Sequence, residues 1–197
     1  MTTKPRPQSD LPLLRCVNKT EWSDWLGSHH EQSPGVWLII AKIDSSEPSV
    51  TYPEAVEAAL CYGWIDGQKR SHSPAAWLQK FTRRGKKSIW SKINRDKALA
   101  LIERGEMKPP GMTEVDRARE DGRWQAAYDP PSRASVPADF QVALDGSPEA
   151  QKFWSTLNSA NRYAVLFRIQ NVKKAETRAK RIEQFVAMLE RHEKLHP

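Results

Sequence analysis

Two stretches of the chain bring together residue types that can bind a ligand. The first is Tyr62-Gly63-Trp64-Ile65-Asp66-Gly67-Gln68-Lys69, where two glycines bracket an indole, an apolar residue and a carboxylate, followed by Lys69 and Arg70. Alternation along a strand sets Trp64 and Asp66 on one face and Ile65 and Gly67 on the other. An acid beside an aromatic with cations nearby can form a pocket, and Gly67 would let a ligand approach the backbone. The second is Phe81-Thr82-Arg83-Arg84 with Lys86-Lys87-Ser88-Ile89-Trp90-Ser91-Lys92-Ile93-Asn94, which interleaves cations, aromatics and hydroxyls. Such a mixture holds phosphates by charge and rings by stacking.

The candidate ligand-binding set is therefore Trp64, Asp66, Lys69, Arg83, Arg84, Trp90 and Asn94, expected to build one groove for an anionic small molecule or protein partner. Two other readings use the same residues. In an enzyme, Asp66 would be the general acid or base and Arg84 an electrostatic stabiliser. In a plain core, Asp66 pairs with an arginine, Trp64 packs inside and Gly67 marks a turn. No residue is assigned a catalytic role.

Several chemistries lack their motif. Arg83-Arg84-Gly85-Lys86-Lys87-Ser88 superficially resembles a phosphate loop, but position 80 is Lys where the earlier glycine is needed. No Gly-x-Gly-x-x-Gly supports a dinucleotide fold, and no Gly-x-Ser-x-Gly elbow presents a serine nucleophile. The histidines at 29, 30, 72, 192 and 196 have no zinc-site spacing to a cysteine or to one another. Neither a metal nor a cofactor is expected. Cys61 follows Glu57 by four residues near a helix C-terminus, and both features raise a thiol pKa, so it reads as a packed small residue. Nucleic acid is a possible partner on charge alone, without a recognition motif.

That charge is unevenly placed. The 197 residues carry a net +7, yet residues 69–97 hold ten Lys/Arg against Asp96 alone. A second, weaker basic block covers 162–197, with nine Lys/Arg and four Glu. Basic blocks attract phosphates, nucleic acid or anionic lipid, or are merely solvated. The longest apolar run, Val36 to Ala41, suits a strand and not a membrane span. Residues 1–10 carry charge with no apolar stretch after them, so no signal peptide is expected and the cytoplasm is the expected location. Cys16 and Cys61 are one potential pair, which a reducing compartment keeps as thiols.

The elements that must position these residues follow from pattern and punctuation. Residues 1–18, proline-rich and weakly patterned, read as a flexible tail. A short helix is expected over 20–31, capped at Thr20, and a central strand over Val36 to Ile43. Thr51-Tyr52-Pro53-Glu54 is a capping box with proline in the first turn, and starts a helix that stops at Gly63. Trp64 to Arg70 and Trp77 to Thr82 should pair as a hairpin. Ser91 or Asn94 caps a helix ending at Gly105. Pro109-Pro110-Gly111 reads as a hard break, with Thr113 and Asp116 capping the next helix. Helices follow near 137–145, 147–157 and 159–171. Ala175, Ala179, Ile182, Val186 and Leu189 mark one stripe of a last helix over about 174–194. The expected fold is α+β: a small antiparallel sheet with helices over residues 19–110, packed against a helical region over 111–197.

Seven stretches, in order, carry a family resemblance. They are Tyr52-x-Glu54-Ala55, Ala59 through Gly67, Phe81-Thr82-x-Arg84, Trp90-Ser91-x-x-Asn94, Asp121-Gly122-Arg123-Trp124, Asn161-Arg162-Tyr163-Ala164, and Glu176-Thr177-Arg178-x-Lys180-Arg181-Ile182. With them the chain resembles the YdeI/OmpD-associated, bacteriocin-protection family of bacterial proteins from about residue 20 onward. The resemblance implies a role in stress or antimicrobial-peptide resistance, and association with an outer-membrane porin. It carries over no catalytic residues. A net positive chain repels cationic peptides, so the ligand or partner expected here is anionic.

Overall fold

The computed structural model describes residues 11–197, so the first ten residues of the expected tail lie outside the described part. The fold is α+β. Two compact units are present: one comprises the described residues up to Trp90 together with Asn94–Ala126, the other Ser91–Ile93 together with Ala127–Pro197.

The first unit is built on a four-stranded sheet in the order β1-β2-β4-β3. Its strands are β1 (Leu13–Arg15), β2 (Val36–Ala41), β3 (Trp64–Ser71) and β4 (Ala76–Arg83). The sheet is mixed, which corrects the antiparallel expectation: β1 runs parallel to β2, with Leu14 opposite Leu38. Residues 11–15 were read as tail because Leu11-Pro12-Leu13-Leu14 alternates poorly, and a three-residue strand leaves almost no periodicity to detect. The hairpin β3–β4 forms as expected, with one register shift between Asp66 and Lys69. That bulge, with exposed Lys69 and Arg70 beyond it, guards the open edge of the sheet against pairing with other strands.

Helices α1 (Lys19–His29) and α2 (Tyr52–Cys61) cover one sheet face. Asn18 caps α1, not Thr20, its side-chain oxygen accepting from the Glu21 amide at 2.9 Å. The capping box at Thr51 is present, the Thr51 amide and hydroxyl both donating to Glu54 Oε2 at 3.0 and 2.7 Å. Trp22, Leu26, Val36, Leu38, Val56, Trp64 and Phe81 form the buried centre. Trp22 stacks on Trp25 and meets Trp64 edge-on at 6.4 Å between centroids.

Helix α3 (Lys92–Glu103) begins one residue after Ser91, the first of the two caps considered, and Asn94 falls in its first turn. Pro109-Pro110-Gly111 is not a break. It starts α4 (Pro109–Glu120), because prolines in a first turn sacrifice only amides that have no helical partner. Thr113 therefore sits inside the helix, its hydroxyl donating to the Pro109 carbonyl at 3.0 Å.

In the second unit, α5 (Ala138–Asp145), α6 (Pro148–Thr156), α7 (Ser159–Gln170) and α8 (Ala175–Glu190) follow the expected order. Their core gathers Phe140, Leu144, Trp154, Val165, Ile169, Ile182, Phe185 and Leu189. Asn158 and Ser147 cap α7 and α6. Among the described residues no helix is long and apolar enough to cross a membrane.

Candidate functional site

The sheet register decides which candidate residues can meet. On β3 and β4, Trp64 lies opposite Arg83 and Asp66 opposite Phe81, while Lys69 lies opposite Gln79 and Ser71 opposite Trp77. From Trp77 to Arg83 is six residues, roughly 20 Å at the rise of a strand. The basic block that looked continuous in sequence is thus folded into a hairpin, and its charges fall at two ends of one sheet.

Trp64, opposite Arg83, lies at one end of the hairpin but lines no pocket at either end. It is fully buried, and its indole N–H donates to the His30 carbonyl at 3.2 Å. Asp66 is half-buried and accepts from the Tyr52 hydroxyl at 2.8 Å.

At one end, Arg83, Arg84 and Lys86 line a pocket of about 880 Å³ together with His30, Tyr62, Gly63, Pro110, Glu114 and Arg117. The chain reaches this end because α2 stops at Gly63, whose φ of 70° is open to glycine at little cost. The Arg84 amide returns to the Gly63 carbonyl at 2.9 Å. Arg83 is exposed and donates to the Glu31 carbonyl at 2.9 Å. Lys86 is exposed on the loop beyond. From α4, Arg117 pairs with Glu114 at 2.7 Å. The four cations Arg83, Arg84, Lys86 and Arg117 thus face only two carboxylates, Glu31 and Glu114.

Arg84 differs from its neighbours. It is 5% exposed, its guanidinium sits 3.6 Å from the centroid of the Trp90 ring, and it donates to the Ile89 carbonyl at 3.3 Å. Trp90 in turn meets Trp124 edge-on at 4.9 Å, and the neighbouring Arg123 is held by Asp121 at 2.7 Å and donates to the Ser88 carbonyl at 2.7 Å. Asp121-Gly122-Arg123-Trp124 is therefore the clamp that fixes the basic loop. The structure brings Arg84 and Trp90 together, as the sequence suggested, but buries both. Asn94 is half-buried in the first turn of α3.

The other end holds Lys69, whose ammonium lies 4.1 Å from the centroid of the Trp77 ring. A larger pocket, about 950 Å³, opens here between Ile40, Lys42, Ile43, Tyr52, Pro53, Lys69 and Trp77. Of these only Lys69 was singled out from the sequence. Tyr52 had been read as a helix-start residue and Trp77 as a strand residue; the signal that joins them is the register that sets Trp77 and Ile40 opposite each other.

The thiols stand apart from both ends. Cys16 and Cys61 are free and buried. Burial, then Glu21, pushes the Cys16 thiol up to about 11. Burial is also the main cause that raises Cys61, with Lys19 opposing it and Glu106 adding to it. Glu57, four residues earlier, is pushed up by burial but lowered overall by hydrogen bonds from Lys19 and Lys97, each at 3.3 Å. Among the described residues no group of three His, Cys, Asp or Glu side chains is gathered as a metal ion would require.

The chain thus combines an α+β unit with cation-lined pockets and a second, helical unit. The chain belongs to the family described as Domain of unknown function (DUF8412), whose model matches residues 14–114, just over half of its length. Residues 133–192 match a second family model, described as Bacteriocin-protection, YdeI or OmpD-Associated. The resemblance drawn from the sequence is therefore borne out over 133–192, while the stretches quoted for it between Tyr52 and Asn94 fall in the first match. No curated protein and no solved structure matches the chain.

Proposed function

We propose that this chain binds an anionic ligand, or an acidic segment of a partner, at the Arg83 end of its sheet, and serves in the cytoplasm in resistance to stress or antimicrobial peptides. The observation that supports it is the pocket of about 880 Å³ where Arg83, Arg84, Lys86 and Arg117 outnumber Glu31 and Glu114. Two of these cations are exposed, Arg83 at the end of β4 and Lys86 on the loop beyond, and the Arg84–Trp90 stack ties the start of that loop to the core. A preorganised positive wall loses little entropy when an anion arrives. The match to a bacteriocin-protection family over 133–192 supports the biological setting.

Thermal-shift titration with inorganic phosphate, pyrophosphate and an oligo-glutamate peptide tests the reading, with Arg83→Glu/Lys86→Glu as the variant. Both positions are exposed, so the variant should fold. At one hundred times its Kd a bound anion adds about 2.7 kcal/mol to stability. The expected result is a shift in the wild type that the variant loses. A folded variant that keeps the full shift would overturn the assignment. So would a wild-type shift of similar size with every polyanion that vanishes at moderate salt, since that is what an unstructured basic surface does.

A further inference from the structure

The Trp77 end carries a site of different chemistry. Its floor and walls are Ile40, Trp77, Tyr52 and Pro53, with Ile43 fully exposed at the lip. The Tyr52 and Trp77 rings meet at 54° with centroids 5.6 Å apart, forming an aromatic corner. Lys69 and Lys42 line the same space. Two carboxylates line it as well, Asp44 and Glu47, the latter held by Arg15 at 2.6 Å, and the cations Lys42, Lys69 and Arg70 outnumber them.

Of the five hydroxyl side chains around this pocket, those of Ser45, Ser49, Thr51 and Tyr52 already take part in hydrogen bonds, and Ser71 is the fifth. Ser49 accepts from the Ala41 amide at 2.8 Å and donates to the Val50 carbonyl at 3.1 Å. Thr51 donates to Glu54, Tyr52 to Asp66, and Ser45 accepts from the Glu47 amide. A sugar or a ribose would have to break these bonds to be recognised. A bare phosphate would surrender its hydration to an apolar floor for which it gains nothing. What the pocket offers instead is ring faces, aliphatic wall and ammonium groups.

We infer that this pocket binds an aromatic carboxylate: a flat apolar body seated in the Tyr52–Trp77 corner, with its single negative charge at Lys69 and Lys42. Charge complementarity fixes the sign of the ligand, and the aromatic corner its shape. Ring-on-ring contact adds to what area burial alone supplies. The site is separate from the Arg83 pocket, and the two proposals stand or fall independently.

The test is an amide NMR titration of the full chain with 2-naphthoate, acetate and 2-naphthalenemethanol, the last two supplying charge alone and ring alone. Naphthoate is expected to move amides in 40–53 and 69–77, with a Kd at least tenfold tighter than either control. Lys42→Ala/Lys69→Ala should weaken it about tenfold. The inference is overturned if those amides stay still, if either control binds as tightly, or if the double lysine variant binds unchanged. It is equally overturned if naphthoate instead moves 83–86 and 109–117, which would place it in the other pocket.

Discussion

The two ends of the sheet in the first unit carry similar charge and use it differently. At the Arg83 end the cations are arginines and a lysine on a loop pinned by Trp90, Trp124 and the Asp121–Arg123 pair, and the wall opposite is the first turns of α4. At the Trp77 end Lys69 stands over the Trp77 ring, Lys42 lines the same space, and the wall is the start of α2. One end is a polar cradle and the other an apolar corner with charged rims. A run of like charges along a sequence thus says little about a site until the turn inside it is placed, because a hairpin divides the run between opposite edges. Behind the Arg83 end lies the buried cluster of Trp64, Trp22 and Phe81.

The largest effect should come from cutting that core, on which the Arg83 end is built. Trp64 is 0% exposed and packs edge-on against Trp22 and Trp25. Trp64→Ala is expected to cost about 4 kcal/mol, from lost burial plus the cavity left behind, read as a fall in the urea midpoint. An unchanged midpoint would mean that the indole is dispensable to packing.

A smaller loss should fall on one end alone. A methyl added at Gly111 would strike the Cys61 carbonyl and the Met107 sulfur, and lie 2.7 Å from the Leu60 carbonyl. Backbone cannot yield as a flexible side chain does, so α4 must lift off the end of α2, carrying Pro110, Glu114 and Arg117 out of the Arg83 pocket. Gly111→Ala should cost about 3 kcal/mol and abolish any phosphate response, while naphthoate binding at the Trp77 end survives in whatever fraction stays folded. Equal loss at both ends would show that they are mechanically one site.

How much of this was legible depended on the kind of signal. Capping residues and glycines gave α2, its stop at Gly63 and the β3–β4 hairpin, because each is a local stereochemical requirement. Strand β1 left no trace, since three residues cannot show a period. Pro109-Pro110-Gly111 misled, because two prolines and a glycine mark a turn or a helix start equally well; the choice was made by Gly111 closing on the α2 carbonyls, a contact far in sequence. For the site, residue type found Lys69, Arg83, Arg84 and Trp90, but not their division. Trp77 and Tyr52 were invisible as partners because their meeting depends on register and on where α2 lands.

Arg84 tests whether burial has taken a cation out of the binding wall. A desolvated guanidinium on a Trp face is worth about 2 kcal/mol, so Arg84→Met should destabilise by about that much, whereas Lys86→Met on the exposed loop should stay within about 0.5 kcal/mol. Chemical denaturation of both variants gives the comparison. If Arg84→Met is as mild as Lys86→Met, Arg84 belongs with the ligand-contacting cations and the loop has no internal clamp.

The smallest effect is a pH response at the Trp77 end. Hydrogen bonds from the Thr51 side chain and then its backbone amide hold the Glu54 carboxyl below its usual value. A carboxyl depressed in the folded state contributes stability that is fully present above its unfolded pKa, about 4.3, and that fades as the pH falls through the lower folded value. The first turn of α2, and with it Tyr52, should therefore loosen on acidification below about pH 4 while the rest of the sheet remains in place. Following the Thr51 amide by NMR from pH 6 to pH 3 reads this directly. The Arg84 amide, bonded to Gly63 at the opposite end, is the internal control. Thr51→Ala should remove most of the response and cost about 1 kcal/mol. If the Thr51 and Arg84 amides instead lose protection together, the capping box is not a separate local unit, and the two ends respond to pH through the whole fold.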